Sequence, residues 1–196
     1  MNDEYLQNFA DKVVNNISRK YDEKISDLKS DIQELKTINK ILVISNDNLE
    51  QQSRLENIKV FGVQENVSES LRDVVLKLFH EELKMKTVND ADIVKYHRVP
   101  SRNVINNGSP SPPAVSVRLI SLSVRESIMK NRKPLKSTGI SIQEDLTKYR
   151  LSLMISAYQK FDKKNVWSRN GNLFFKYNDV IRKIYNADDI ASTPME

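Results

Sequence analysis

AVSVRLISLSVRESIMKNRKPLKSTGISI, residues 114–142, holds a strand, a helix and a second strand in one short span. Ala114–Ile120 alternates β-branched and polar residues, as a half-buried strand does. Val124–Lys133 reads as a short basic helix stopped by Pro134, whose ring cannot continue it. Gly139 then opens a last short strand, Gly139–Ile142. The same order occurs once upstream. IKVFGV (58–63) reads as a buried strand. SLRDVVLKLFHEELKM (70–85) places Leu71, Val74, Val75, Leu78, Phe79 and Leu83 on one helical face, and ADIVKYHRV (91–99) reads as a strand. Between the two halves lies PSRNVINNGSPSPP (100–113), with four of the six prolines, which predicts an exposed, mobile loop.

The order β-α-β, β-α-β predicts an α+β domain over residues 56–143 with the split, ferredoxin-like arrangement that RNA-recognition motifs also use. Its third strand carries no aromatic residue. Only Phe61 and Tyr96 remain on the strands as stacking groups, so nucleic acid would be held there mainly by charge and edge contacts.

Toward the N-terminus the period changes. Ile25, Ile32, Asn39, Asn46 and Ser53 fall at heptad position a, and Leu28, Leu35, Leu42 and Leu49 at d. Further upstream, Phe9, Val13, Ile17 and Tyr21 advance by fours. With no proline or glycine before Gly62, a continuous helix of about 50 residues, about 75 Å long, is expected. Its narrow apolar seam needs a partner helix, so residues 1–55 are expected to self-associate. The residues that would do so are Ile25, Leu28, Ile32, Leu35, Asn39, Leu42, Asn46 and Leu49. Ile at a with Leu at d leans toward two strands, while the two asparagines weaken the seam and fix its register. An antiparallel fold-back onto the second half is the alternative cover.

After residue 143 the pattern predicts a small helix-plus-hairpin domain over 144–190 and a disordered tail over 191–196. Thr147 or Asp145 caps the helix TKYRLSLMISAYQKF, which carries Leu151, Ile155 and Tyr158 on one stripe. In NVWSRNGNLFFK (165–176), Asn170-Gly171 is the favoured turn pair of a two-residue hairpin. That register puts Trp167, Arg169, Phe174 and Lys176 on one face, and Val166, Ser168, Leu173 and Phe175 on the other, which should pack on the helix. The first face fits a stacking surface flanked by phosphate-binding charges. It fits equally a core tryptophan with Arg169 lying over its ring.

Charge divides the chain. Residues 1–55 hold 8 Lys and Arg against 10 Asp and Glu, net −2; of totals of 31 and 26 this leaves 23 against 16, net +7, for residues 56–196. Such a basic half predicts a polyanionic partner, RNA or single-stranded DNA. The acidic N-terminus and the lack of any apolar run near 18 residues argue against a signal peptide or a membrane span, so an intracellular location, cytoplasmic or nuclear, is expected. With no cysteine and two histidines, neither metal nor cofactor is expected. No phosphate loop, dinucleotide fingerprint or nucleophile motif occurs, so the chain reads as a non-enzyme.

The heptad coil followed by RLENIKVFGV, KYHRV, VRESIMKNRKPLKSTGISIQEDLT and NVWSRNGNLFFK resembles, in order, the first open-reading-frame protein of LINE-type retrotransposons. It resembles equally the related insect and baculovirus few-polyhedra protein family. The resemblance implies an oligomeric nucleic-acid chaperone, trimeric in the retrotransposon case, with a basic cleft between two small domains. Carried over by position, that cleft would use Arg98, Arg125, Lys130, Arg132, Lys133 and Arg150; Arg169 and Lys176 follow from the hairpin register instead. The zinc finger that few-polyhedra relatives often carry is not possible in a cysteine-free chain. The competing reading is a coiled-coil interaction scaffold with no specific nucleic-acid role.

Overall fold

The computed structural model describes residues 2–65, 70–100, 105–106, 109–110 and 112–193. The protein is mixed α+β, with a long N-terminal helix followed by antiparallel sheets. It divides into two units, residues 1–46 and 47–196.

Helix α1 (Asn2–Ser53) runs 52 residues without a break. In the first unit its apolar stripe is open: Ile25, Leu28, Ile32, Leu35 and Leu42 are all about half exposed or more. Asn39 and Asn46, the polar a positions, are exposed as well.

The second unit begins inside α1. β1 (Asn57–Phe61) sends Ile58 and Val60 into a core and turns Asn57, Lys59 and Phe61 to the opposite face. α2 (Leu71–Lys77) runs on through a wider turn, Leu78–Glu82, that seats Phe79 with no exposure. β2 (Ile93–Arg98) follows. Within the expected loop 100–113, which lies largely outside the described residues, β3 (Ile105–Asn106) and β4 (Ser109–Pro110) form a two-stranded ribbon. β5 (Val115–Leu119), α3 (Leu122–Asn131) and β6 (Ser141–Glu144) complete the layer. The helix starts earlier than its pattern predicts, because the Ser121 side chain caps the Val124 N–H. β6 starts two residues later, after a short helical turn at Lys133–Ser137.

The sheet order is β2-β5-β1-β6, every pair antiparallel. Val75, Phe79 and Ile128 of the two helices meet Ile58, Val60, Val115 and Val117 on one face. Burial of such side chains contributes roughly 1.5–3 kcal/mol each. Gly62 is held at φ +84, and a Cβ there would come within 2.2 Å of the Gly139 carbonyl oxygen, so only glycine lets β1 and β6 end side by side.

The remaining residues form a second core. α4 (Lys148–Lys160) is capped by Thr147, whose hydroxyl accepts from the Arg150 N–H at 3.1 Å. β7 (Val166–Arg169), β8 (Asn172–Tyr177) and β9 (Val180–Ile184) make an antiparallel meander. The β7–β8 register follows the sequence pattern: Trp167 faces Phe174, Arg169 faces Asn172, and Asn170 and Gly171 both take positive φ. Phe175 stacks on Phe161 at 4.5 Å in the core. α5 (Ala187–Ala191) closes it, with Ile190 buried and Lys160 Nζ donating to the Ile190 and Ala191 carbonyls. Residues 191–193 of the expected tail therefore belong to this core, with Thr193 2 % exposed; residues 194–196 lie outside the described residues. The α4 stripe also needs correction. Leu153 and Ala157 enter the core, whereas Leu151 and Ile155 are 41 % and 57 % exposed.

The last two turns of α1 belong to this second unit, which moves the expected boundary from residue 55 to residue 46. Asp47 accepts from Arg150 Nε at 2.8 Å and from the Thr147 hydroxyl. Gln51 is buried, donates to the Asp145 carbonyl and accepts from the Thr147 N–H, both at 3.0 Å. A Cβ at Gly171 would stand 2.7 Å from Gln51 Cγ, so the turn glycine is fixed by space as well as by its φ of +77. Asp145 receives Lys59 Nζ at 2.9 Å, Arg54 Nη1 at 3.1 Å and Asn57 Nδ2 at 3.0 Å. In heptad terms Asp47 and Arg54 are b positions and Gln51 is f, opposite the seam; Leu49, at d, stays 70 % exposed.

Burial alone would push the Asp145 carboxyl up, but hydrogen bonds from Lys59 and Asn57 and the charges of Lys59 and Arg54 outweigh it and hold it below the usual carboxylate range. Since the folded value lies below the unfolded one, about 3.9, this stabilisation is complete above about pH 4 and is lost as pH falls through the folded value. Asp145→Asn is expected to lower stability at neutral pH by about 1.5–3 kcal/mol and to shallow the acid limb of the stability curve. Urea unfolding at pH 7 and pH 3 checks both; an acid limb as steep as that of the parent protein would contradict the assignment.

Candidate nucleic-acid interface

Between the two small cores runs a groove of about 980 Å³. One wall is the end of α3 and the turn after it, carrying Lys130, Arg132, Lys133 and Lys136. These cations follow from local sequence: a helix C-terminus presents unpaired carbonyls and favours positive charge in its last turn. The opposite wall comes from α4 and β7, with Leu151, Met154, Tyr158 and Trp167. Of the exposed α4 stripe only Leu151 reaches the groove; Met154 and Tyr158 line it while also packing against the second core. The outer edge of β6 forms the floor, where Arg132 Nη1 donates to the Ile142 carbonyl at 2.9 Å.

Trp167 is half-buried and stacks on Phe174 at 6.0 Å with the planes 19° apart. Its ring belongs to neither core cluster. Arg169 is exposed at the hairpin end, and Lys176 is exposed but paired with Asp179 at 2.7 Å. Tyr158 has a raised pKa from burial, and Lys163 Nζ lies 5.9 Å from its ring centre.

Three arginines expected in the cleft serve other ends. Arg125 is 2 % exposed: its Nη2 meets Glu144 at 2.5 Å and its Nη1 meets Asn170 Oδ1 at 2.7 Å. Glu144 also accepts the Asn170 and Gly171 N–H groups at 2.8 and 3.0 Å, so its carboxylate holds the hairpin turn against α3 and β6. Arg98 is spent on the carbonyls of Val63, Gln64 and Pro113. Arg150 reaches Asp47, Asn48 and the Gly171 carbonyl, tying α1 to the hairpin. A guanidinium donates five hydrogen bonds in a rigid fork, which suits it to such joints. Lys136, outside the expected set, also stands in the groove wall; its place after Pro134 in the basic run KNRKPLK is the sequence feature that marks it.

The helix-free face of the four-stranded sheet offers less. In register, His97, Ser116, Lys59 and Gln143 cross it in one row, with Phe61 the aromatic on this side. Tyr96 pairs with buried Val117 and so faces the other way. Part of the row lines a polar hollow of about 400 Å³ with Glu50, Arg54 and Asp145, and Lys59 is already bound to Asp145.

Comparison with protein-family models and with curated proteins finds no match. Among the described residues no helix is long and apolar enough to cross a membrane.

Proposed function

We propose that this protein is an oligomeric single-stranded nucleic-acid binding protein, of the RNA-chaperone kind, that grips sugar–phosphate without sequence preference in the groove between its two small domains. The observation that carries this is the pairing of Lys130, Arg132, Lys133 and Lys136 on one wall with Trp167 and Tyr158 on the other. Cations track the backbone while an aromatic face accepts any base, the combination used for single strands. The strand order β2-β5-β1-β6 with two helices on one face supports reading the first small domain as RNA-recognition-like. The scarcity of aromatics on the open sheet face shifts the binding to the groove. The exposed heptad seam of α1 supports self-association, with two or three strands. The proposal agrees with what the motif resemblance to LINE-type and few-polyhedra proteins implies.

Phosphate binding releases counterions, so log K should fall against log salt with a slope of about −0.7 per phosphate on single strands. Replacing Lys130, Lys133 and Lys136 together by Gln is expected to weaken binding to unrelated oligonucleotides equally and to flatten the slope by about 2. Arg132 is spared because it holds the Ile142 carbonyl. Fluorescence anisotropy in a salt series reads both quantities. A loss confined to one sequence, or an unchanged slope, would refute the proposal.

A further inference from the structure

The third strand of the C-terminal meander carries a surface that the groove does not include. Because β8 sits between β7 and β9, side chains of the three strands that face away from the core line up in rows. Trp167, Phe174 and Lys183 form one such row. At the end of β9, Tyr185 is 58 % exposed and Lys183 Nζ stands 4.7 Å from its ring centre. Arg169 lies beyond Trp167 on the same side. Residues 163–186 hold six Lys and Arg against one Asp, a net +5.

Two observations decide what this face could accept. Trp167 lines the groove and also begins the row, so the two surfaces share a side chain. Crossing from β7 to β9 then takes about 10 Å, two strand spacings. The row holds a stacked pair of rings, a cation, and a further exposed ring beside that cation, which is chemistry suited to bases alternating with phosphates. Lysine and its acidic counterparts are depleted at the centres of protein interfaces, which favours a phosphate chain over a protein as the occupant of a face built this way.

The geometry points to a second single-strand site on the outer face of this sheet: a nucleic-acid chain gripped in the groove continues past Trp167 and Phe174, with Lys183 taking a phosphate and Tyr185 a base. This rests on the proposed groove function and extends it, since the length of strand covered by one head becomes greater than the groove alone can hold.

The test uses the full chain and two oligouridylates, of about 6 and about 16 nucleotides, a range spanned by single-strand modules. Lys183→Ala with Tyr185→Ala is expected to leave the short probe unaffected and to lower affinity for the long one about tenfold or more. Tyr185→Phe, which keeps the ring, should bind the long probe as the parent does. If the double variant binds the long probe undiminished, the second site is refuted while the groove survives. If it loses both probes equally, the extension is refuted too. Failure of the parent protein to bind either probe in dilute buffer would remove the groove reading itself. A changed molar mass of the free variant, with long-probe affinity intact, would assign the face to a protein contact instead.

Discussion

Arg125→Ala is expected to lower the unfolding free energy by about 3–5 kcal/mol, the cost of breaking a buried ion pair from one side. Arg125 and Glu144 side chains are 3 % and 5 % exposed, so without the guanidinium the buried carboxylate keeps only the Asn170 and Gly171 N–H groups to offset its charge. The pair joins α3 and β6 to the Asn170-Gly171 turn, and its loss should loosen both cores together. Lysine is no substitute, since one ammonium cannot span Glu144 and Asn170 as the guanidinium fork does. Glu144→Ala should cost at least as much, because it strands Arg125 and two backbone N–H groups at once. Arg125 Nε makes no hydrogen bond to another protein group. Urea unfolding measures the difference; a change within about 0.5 kcal/mol, as at ordinary surface positions, would show that the pair is not what couples the cores.

The second large effect concerns the helix. Leu28→Asp with Leu35→Asp places charge at two d positions and should convert the proposed oligomer to single chains. Each head should then bind a short oligonucleotide as before, while affinity for a long strand falls by about 10²- to 10⁴-fold, the range over which linked sites exceed a single one. Both substitutions lie in the first unit, away from Asp47, Gln51 and Arg54, so the heads keep their anchoring to the helix end. The contacts at b and f on that end leave position d free at Leu49, so head and seam need not compete for the helix. Light scattering and a titration with long RNA check the two halves of the prediction. Unchanged mass, or full affinity from single chains, would mean that the seam serves something other than avidity.

What could be read in advance was what is periodic or local. The heptads of α1, the strand–helix alternation and the hairpin register each follow from spacing within a few residues. The fate of individual charges does not. Arg125 looks like any arginine of a basic helix until Glu144 and Asn170, 19 and 45 residues away, are brought against it. Arg150 meets Asp47 across 103 residues. The stripe of Leu151, Ile155 and Tyr158 was visible as a face, but periodicity cannot say whether a face meets a core or a groove. β9 is marked in the sequence by the pair Asn178-Asp179 ahead of VIRKI, two residue types that tolerate the positive φ both adopt here. A second short turn pair of that kind marks another hairpin.

The most direct trial of the whole account is the molar mass of the purified protein, alone and with a single-stranded oligonucleotide of about 40 nucleotides, in dilute and in concentrated salt. The expected result is a small whole-number multiple of the single chain that takes up the oligonucleotide in dilute buffer and releases it as salt rises. A single-chain mass that ignores the oligonucleotide even in dilute buffer would contradict it.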